Sequence, residues 1–298
     1  MQVLSSLDLA DAPLSLACSP DGRWVATTGD DKKLRVRDAR TLDELEARHV
    51  GRRPAALCFS PDSQRVAAGA TGLTTWDTSS WKRAQAFKGH KRDVARAVFS
   101  PEGTKLYSGG SSDKSPFDNT LRCWDAATGA ELQRWEAQGS ICALALSPDG
   151  ASLAVATTNG QTMLLDTETC TPRWTDPPEA RTSALAFASD GRLFGTLDHA
   201  LLFTYDLATG AQQPLVPALR YGTALAISQD ATAAFVACGS GGAPEGAVVA
   251  AIDLSTGSVT STAALGPAAL PRGVALSPDG QRLYVAHTRP NRLVVFER

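Results

Sequence analysis

The four histidines are the first residues to examine for chemistry, because imidazole serves both as an acid–base group and as a metal ligand. They stand far apart in the 298-residue chain, at His49, His90, His199 and His287. None belongs to an HxH or HExxH pair, the spacings that place two imidazoles on one metal ion. The sequence therefore predicts no metal centre and no cofactor.

Motifs for nucleophilic or phosphate chemistry are missing from the sequence as well. There is no GxSxG sequence, in which a strained turn would expose a nucleophilic serine. The glycine-rich stretch 239–242 joins two predicted strands and precedes no predicted helix. It therefore lacks the amide array and dipole of a phosphate site. The adjacent pair Asp30 and Asp31 is typical of a surface turn.

One turn sequence recurs seven times along the chain and divides it into repeats. The copies resemble Ser-Pro-Asp-Gly and begin at Ser19, Ser60, Ser100, Ser147, Ala188, Ser228 and Ser277. Successive steps are 41, 40, 47, 41, 40 and 49 residues, and the step from Ser277 round the termini to Ser19 is 40. A period of this length with several short strands per unit is typical of propeller blades.

The third unit, residues 89–125, carries the most detailed motif. It opens with Gly-His, closes with Trp-Asp, and resembles one unit of the WD-repeat β-propeller family. In that family a His, a Ser or Thr, an Asp and the Trp form a hydrogen-bonded tetrad. The resemblance assigns this structural role to His90, Ser108, Asp118 and Trp124.

The resemblance extends over essentially the whole chain and implies the fold. We expect an all-β, seven-bladed β-propeller with four antiparallel strands per blade, forming a single domain over residues 1–298. The N-terminal strand, Val3–Leu9, should pair with Leu293–Phe296 and close the ring, which would remove an exposed sheet edge. In the first unit Asp31 keeps the Asp position of the motif, but Arg37 replaces the Trp.

Charge, hydrophobicity and cysteine content argue against several classes of function. The net charge of −2 argues against a general nucleic-acid binder. No apolar run is long enough to span a membrane, and the N-terminus does not resemble a signal peptide. The six cysteines include no CxxC pair, which indicates a reducing compartment without disulfides. We therefore expect a cytoplasmic protein, monomeric alone, that binds neither nucleic acid nor membranes.

The first strand of each repeat indicates what surrounds the ring axis. Four residues before each turn the side chain is small in six repeats, as expected where seven strands converge. The exception is Arg96. It either pairs with a nearby acid such as Asp93 or lines the mouth of the channel.

Three functions are compatible with these residues. WD-repeat propellers in general are non-catalytic platforms for protein partners, so a protein–protein interaction scaffold is the first. The second is a lactonase-type hydrolase, because blade seven (277–297) resembles repeats of such propellers. The only residues that point to such a catalytic site are Arg96, His199 and Arg272, and they fall on different blades. The third is a propeller that binds a small ligand in its central channel.

A docking site is predicted on the face where the loops between blades emerge, called the top in this family. These loops are rich in cations, which would attract an acidic protein partner, and arginine and tyrosine are enriched at interface hot spots. The predicted partner-binding residues are Arg52, Arg53, Arg92, Arg96, Arg220, Tyr221 and Arg272.

Overall fold

The computed structural model describes residues 1–111, 118–176, 181–197, 202–216, 222–239 and 246–298. These residues form 28 strands arranged in seven four-stranded antiparallel sheets. None of them forms a helix that could cross a membrane. The predicted all-β fold with four strands in each of seven blades is therefore confirmed.

The blades follow one another along the chain, each running from the axis outward. Blade one contains β2 (Pro13–Cys18), β3 (Trp24–Gly29), β4 (Lys33–Asp38) and β5 (Glu44–His49). Blade two contains β6 (Ala56–Phe59), β7 (Arg65–Gly69), β8 (Leu73–Asp77) and β9 (Arg83–Phe87). Blade three contains β10 (Asp93–Phe99), β11 (Lys105–Ser111), β12 (Thr120–Asp125) and β13 (Glu131–Glu136). Blade four contains β14 (Ile141–Leu146), β15 (Ser152–Thr157), β16 (Thr162–Asp166) and β17 (Pro172–Thr175).

The remaining blades keep the same order, and the last one recruits the N-terminus. Blade five contains β18 (Thr182–Phe187), β19 (Leu193–Leu197), β20 (Leu202–Tyr205) and β21 (Gln212–Val216). Blade six contains β22 (Gly222–Ile227), β23 (Ala233–Cys238), β24 (Ala247–Asp253) and β25 (Val259–Gly266). Blade seven contains β26 (Leu270–Leu276), β27 (Arg282–Thr288), β28 (Arg292–Glu297) and, as its outer strand, β1 (Gln2–Asp8).

The ring closes through both ends of the chain. Each innermost strand contacts the innermost strands of the two neighbouring blades, and β2 contacts both β6 and β26. Strand β1 pairs with β28, with Val3 opposite Phe296 and Leu7 opposite Leu293. The predicted closure is thus confirmed. The strand ends one residue earlier than predicted, and the amide of Leu9 donates instead to the carbonyl of Asn291 (2.8 Å).

The recurring turn folds locally for a clear reason. In blade one the Ser19 hydroxyl donates to a carboxylate oxygen of Asp21 (2.7 Å) and accepts from the amide of Trp24 (2.9 Å). Gly22 has a φ of 71°, a conformation that glycine adopts without a steric penalty. These bonds set the direction in which the second strand of blade one leaves the turn.

Apolar side chains between neighbouring blades hold the ring together. Phe87 of blade two contacts Trp124 of blade three edge to face, with ring centroids 5.8 Å apart. Trp174 of blade four stacks on Tyr205 of blade five at 5.3 Å and donates from Nε1 to the carbonyl of Leu207 (3.0 Å). Each blade thus buries its faces against its two neighbours, which stiffens the platform that carries the loops.

Candidate functional site

Two sets of loops emerge at the same end of the ring because the strands of each blade alternate in direction. One set joins the outer strand of a blade to the inner strand of the next, and the other joins the second and third strands within a blade. We call this end the top face. Loops held on a rigid scaffold are the usual places for recognition.

A cavity of about 710 Å³ opens on the top face beside the axis. Blades one to four and the connections that follow them in the chain supply its wall. The charged side chains in the wall are Arg53, Asp93 and Arg181, and the side-chain amides are Asn119, Gln138 and Asn159. The wall therefore combines two cations with several groups that can both donate and accept hydrogen bonds.

A second, smaller cavity of about 140 Å³ lies in the central channel. Small side chains of the innermost strands surround it, as the sequence predicted; they are Ser15, Ala143, Ala184, Ala224 and Gly273. Arg96 and Arg272 also line it, and no carboxylate is among its described lining residues. The channel mouth therefore carries positive charge.

Of the two alternatives for Arg96, the structure favours the channel mouth: within the described part of the chain it forms no ion pair with Asp93. Its Nη1 instead donates to the carbonyl of Ala95 (2.8 Å). Burial lowers the pKa of its guanidinium, and the positive charge of Arg181 lowers it further. An arginine stays protonated despite such a shift, so an incompletely compensated cation lies at the channel mouth.

The structure brings together only part of the predicted docking set. Arg53, Arg96 and Arg272 line the two cavities, whereas Arg52 is exposed on the same loop as Arg53 but outside their walls. Arg92 is half-buried. Arg220 and Tyr221 lie outside the described residues.

Sequence reasoning did not assign Arg181 or the three amides to the docking set. Arg53 and Arg181 stand far apart in the sequence, yet they line the same cavity. The signal available in the sequence was position: all four residues lie in loops of the top face.

The four tetrad residues of blade three are joined by hydrogen bonds. Nδ1 of His90 lies 3.1 Å from a carboxylate oxygen of Asp118, and Nε2 lies 2.7 Å from the hydroxyl of Ser108. That hydroxyl accepts from Nε1 of Trp124 (2.8 Å). All four side chains are buried. Because buried polar groups are costly unless paired, this chain of bonds fixes the relative positions of two strands, β11 and β12, and of the two loops that carry His90 and Asp118.

The tetrad also positions a loop of the top face. Asp118 accepts from the backbone amides of Lys91 (2.5 Å) and Arg92 (3.3 Å), in the connection that enters blade three. Burial acts to raise the pKa of Asp118, but hydrogen bonds from His90 and Thr120 outweigh it and hold that pKa well below its usual value. The carboxylate therefore stays ionised and anchors the loop that carries Arg92.

The other histidines do not converge with these groups. His49 is exposed at the end of an outer strand, His287 is buried in blade seven, and His199 lies outside the described residues. Among the described residues, no three His, Cys, Asp or Glu side chains form a group that could hold a metal ion. All six cysteines fall within the described ranges and are unpaired.

Comparison with known families agrees with this geometry. The model of the WD domain, G-beta repeat, matches residues 4–38 and 81–125, and the second match contains the whole His–Trp tetrad. The chain carries WD40 repeats. With the seven blades in a closed ring, the predicted WD-repeat propeller is confirmed. A second model, described as outer membrane protein assembly factor BamB, matches residues 117–243.

Two similar proteins come from animals. Protein groucho of Drosophila melanogaster is 29% identical over 185 residues, covering 60% of this chain and 24% of that protein. Transducin-like enhancer protein 2 of Mus musculus is 28% identical over 180 residues, covering 59% of this chain and 23% of that protein. The aligned region thus spans about a quarter of the length of these relatives.

Proposed function

We propose that this WD40-repeat propeller is a non-catalytic scaffold that binds a protein partner on its top face. The observation that carries the proposal is the convergence of Arg53, Arg96, Arg181 and Arg272 on two adjoining cavities. Among the described residues that line the two cavities, Asp93 is the one carboxylate, and it lies in the wall of the larger cavity. The WD40 repeats and the similarity to other repeat-containing proteins support a binding role.

The partner that fits this surface is an acidic segment of a protein. Carboxylates can form bidentate hydrogen bonds with the guanidinium groups of Arg53, Arg181 and Arg272, all of which are exposed. The chain as a whole has a net charge of −2, so the positive field is local to the top face. A local field of this kind raises the association rate of an acidic partner and orients it.

The proposal includes a single folding domain over residues 1–298, monomeric alone, that acts in the cytoplasm without binding nucleic acid or membranes. Closure of the ring through both termini supports the single domain, because neither end can be removed without opening a sheet. The unpaired cysteines fit a reducing compartment.

The test compares two charge reversals of equal size. Arg53→Glu with Arg272→Glu alters the top face, and Lys82→Glu with Arg83→Glu alters exposed residues at the opposite end of blade two. Proteins that co-purify with the chain from its native cells are quantified by mass spectrometry for wild type and both variants. We expect partner recovery to fall at least about tenfold for the top-face variant, since each lost charge-assisted bond is worth roughly 1.5–3 kcal/mol.

The control variant should retain its partners, and both variants should keep the melting temperature of the wild type. Recovery that is unchanged in the top-face variant, or lost equally in both, would remove the support for the proposed site.

A further inference from the structure

Arg96 differs in size and charge from the residues at the same position of the other blades. In six of the seven blades a β-bulge interrupts the innermost strand near its start, as it does between Val94 and Arg96 in blade three. The residue after the bulge lines the channel in each of these blades. In the other five it is small: Ser15, Ala143, Ala184, Ala224 and Gly273. Arg96 therefore brings a guanidinium group into a channel that its equivalents leave open.

Arg272 reaches the same part of the channel from another blade. It is the bulged residue of blade seven, since the register shifts between Pro271 and Gly273. Along the ring, two blades separate blade seven from blade three in one direction and three blades separate them in the other. Arg96 and Arg272 thus approach the channel cavity of about 140 Å³ from opposite sides.

Arg181 adds a third cation at the channel mouth. It lies in the connection that enters blade five and lines the larger cavity. Burial raises the pKa of the Cys142 thiol in blade four, and the charges of Arg181 and Arg96 both oppose this rise. The two guanidinium groups therefore lie near the same thiol. Cations attached to three different blades converge on the channel mouth.

The chain does not balance these charges within its described part. None of Arg96, Arg181 and Arg272 forms an ion pair there. The one carboxylate that lines either cavity is Asp93, in the wall of the larger cavity. Cations that are close together and partly shielded from water repel one another, and burying such a charge is costly without a partner. An anion from outside the chain would supply that partner.

The directions of the three arginines favour a tetrahedral anion over a planar one. A carboxylate presents two oxygens in one plane, whereas a phosphate group presents at least three acceptor oxygens that point in different directions. Guanidinium groups from different blades can each bond to a different edge of such an anion. Liquid water occupies roughly 30 Å³ per molecule, so the channel cavity of about 140 Å³ has room for a group of the size of phosphate.

We propose that the channel mouth binds a tetrahedral dianion, inorganic phosphate or a small phosphate monoester, between Arg96, Arg181 and Arg272. The organic part of a monoester lies in the larger cavity, where the side-chain amides of Asn119 and Asn159 can bond to it. The bound dianion cancels part of the positive field of the top face and thereby weakens the docking of an acidic partner. This last effect rests on the proposed function, whereas the binding of phosphate does not.

The test titrates inorganic phosphate into the full-length protein, purified without phosphate, at about pH 8. Sodium chloride keeps the ionic strength constant, and glycerol 2-phosphate is titrated in parallel as a monoester. Both probes are mainly dianions under these conditions, since the second pKa of a phosphate ester is about 6. We expect calorimetry to show saturable binding at one site per chain, and phosphate to raise the melting temperature. Acetate at the same ionic strength should not saturate a site.

Three variants locate the binding. Arg96→Gln and Arg272→Gln should each weaken phosphate binding at least about tenfold, the loss expected for one charge-assisted hydrogen bond. Without phosphate, Arg96→Gln should melt no lower than wild type, because it relieves repulsion among the three cations. The matched control is Arg52→Gln, which removes an exposed charge of the top face outside both cavity walls. Its effect on the affinity should stay below about twofold, because salt screens exposed charges.

Saturable phosphate binding that is weakened by Arg96→Gln or Arg272→Gln but not by Arg52→Gln supports the proposal. Tighter binding of glycerol 2-phosphate than of inorganic phosphate would then identify the ligand as a monoester, and weaker or equal binding would identify it as the free ion. The proposal is overturned if wild type shows no saturable phosphate binding, if Arg52→Gln weakens binding as much as Arg96→Gln, or if acetate binds as tightly as phosphate.

The result is also separable from the proposed function. If phosphate does not bind, but the charge reversal at Arg53 and Arg272 still causes the loss of partners, only the phosphate site is refuted. If phosphate binds as expected and that reversal leaves partner recovery unchanged, the phosphate site stands and the partner-binding function fails.

Discussion

Replacing Ser108 by alanine should show how much the tetrad contributes to the stability of the ring. The change removes one hydroxyl that lies 2.7 Å from Nε2 of His90 and accepts from Nε1 of Trp124 at 2.8 Å. It leaves two buried polar atoms without a partner, and each such atom costs about 1–3 kcal/mol. Because both bonds share one oxygen, the costs are not fully additive. We expect the free energy of unfolding to fall by about 2–4 kcal/mol.

Blade five offers a matched control for this substitution. Thr196 occupies the position equivalent to Ser108 and is equally buried, and its Oγ1 has no hydrogen-bond partner among the described residues. Thr196→Val keeps the shape of the side chain and removes only a hydroxyl that makes no bond. We therefore expect little loss of stability, or a small gain. Urea unfolding of both variants, with unchanged dependence on denaturant concentration, supplies the two free energies. Equal losses in Ser108→Ala and Thr196→Val would refute the reasoning, because burial rather than the hydrogen bonds would then set the cost.

Two further predictions concern the closure of the ring and the stability of the fold at low pH. Deleting residues 1–9 exposes the edge of β28 and should cause aggregation on size-exclusion chromatography or a lower melting temperature; a truncated chain that stays monomeric with unchanged melting contradicts the closure. Hydrogen bonds from Ser79 and Ser255 lower the pKa values of Asp77 and Asp253 to about 2. Their folded pKa lies below the unfolded value, so the stabilisation is present above about pH 4 and is lost as the pH falls towards 2. Acid titrations of unfolding should show this loss, and the double variant Asp77→Ala with Asp253→Ala should show less of it; equal losses would exclude these two turns as its source.

The ring and its closure could be predicted because they depend on local and periodic features. The turn that begins at Ser19 recurs at a nearly constant step, and a wrap-around step of 40 residues implies that both termini share one blade. Strand β1 (Gln2–Asp8) differs from its predicted bounds, Val3–Leu9, by one residue at each end. The tetrad of blade three was recognisable from the resemblance of residues 89–125 to one unit of the WD-repeat family.

The charged groups were harder to place because their partners depend on rotamers and on contacts between blades. Arg37 replaces a tryptophan of the motif, and the sequence did not indicate that it would bond to Thr27 and Glu44. Arg96 stands three residues after Asp93, yet the two do not pair within the described structure. A β-bulge interrupts strand β10 between Val94 and Arg96, so a regular alternation of side chains along the strand does not describe how these two residues are placed.

The most direct test of the central claim is site-specific photo-cross-linking of the chain in its native cells. A photo-reactive amino acid replaces Arg53 on the top face in one version of the protein and Lys82 at the opposite end of blade two in another. We expect the first version to form discrete cross-links to another protein, and we expect Arg272→Glu to remove them. No such products should form from the second version. Cross-links to the same protein from Lys82 but not from Arg53 would show that the partner docks at the opposite end of the ring, and would contradict the account.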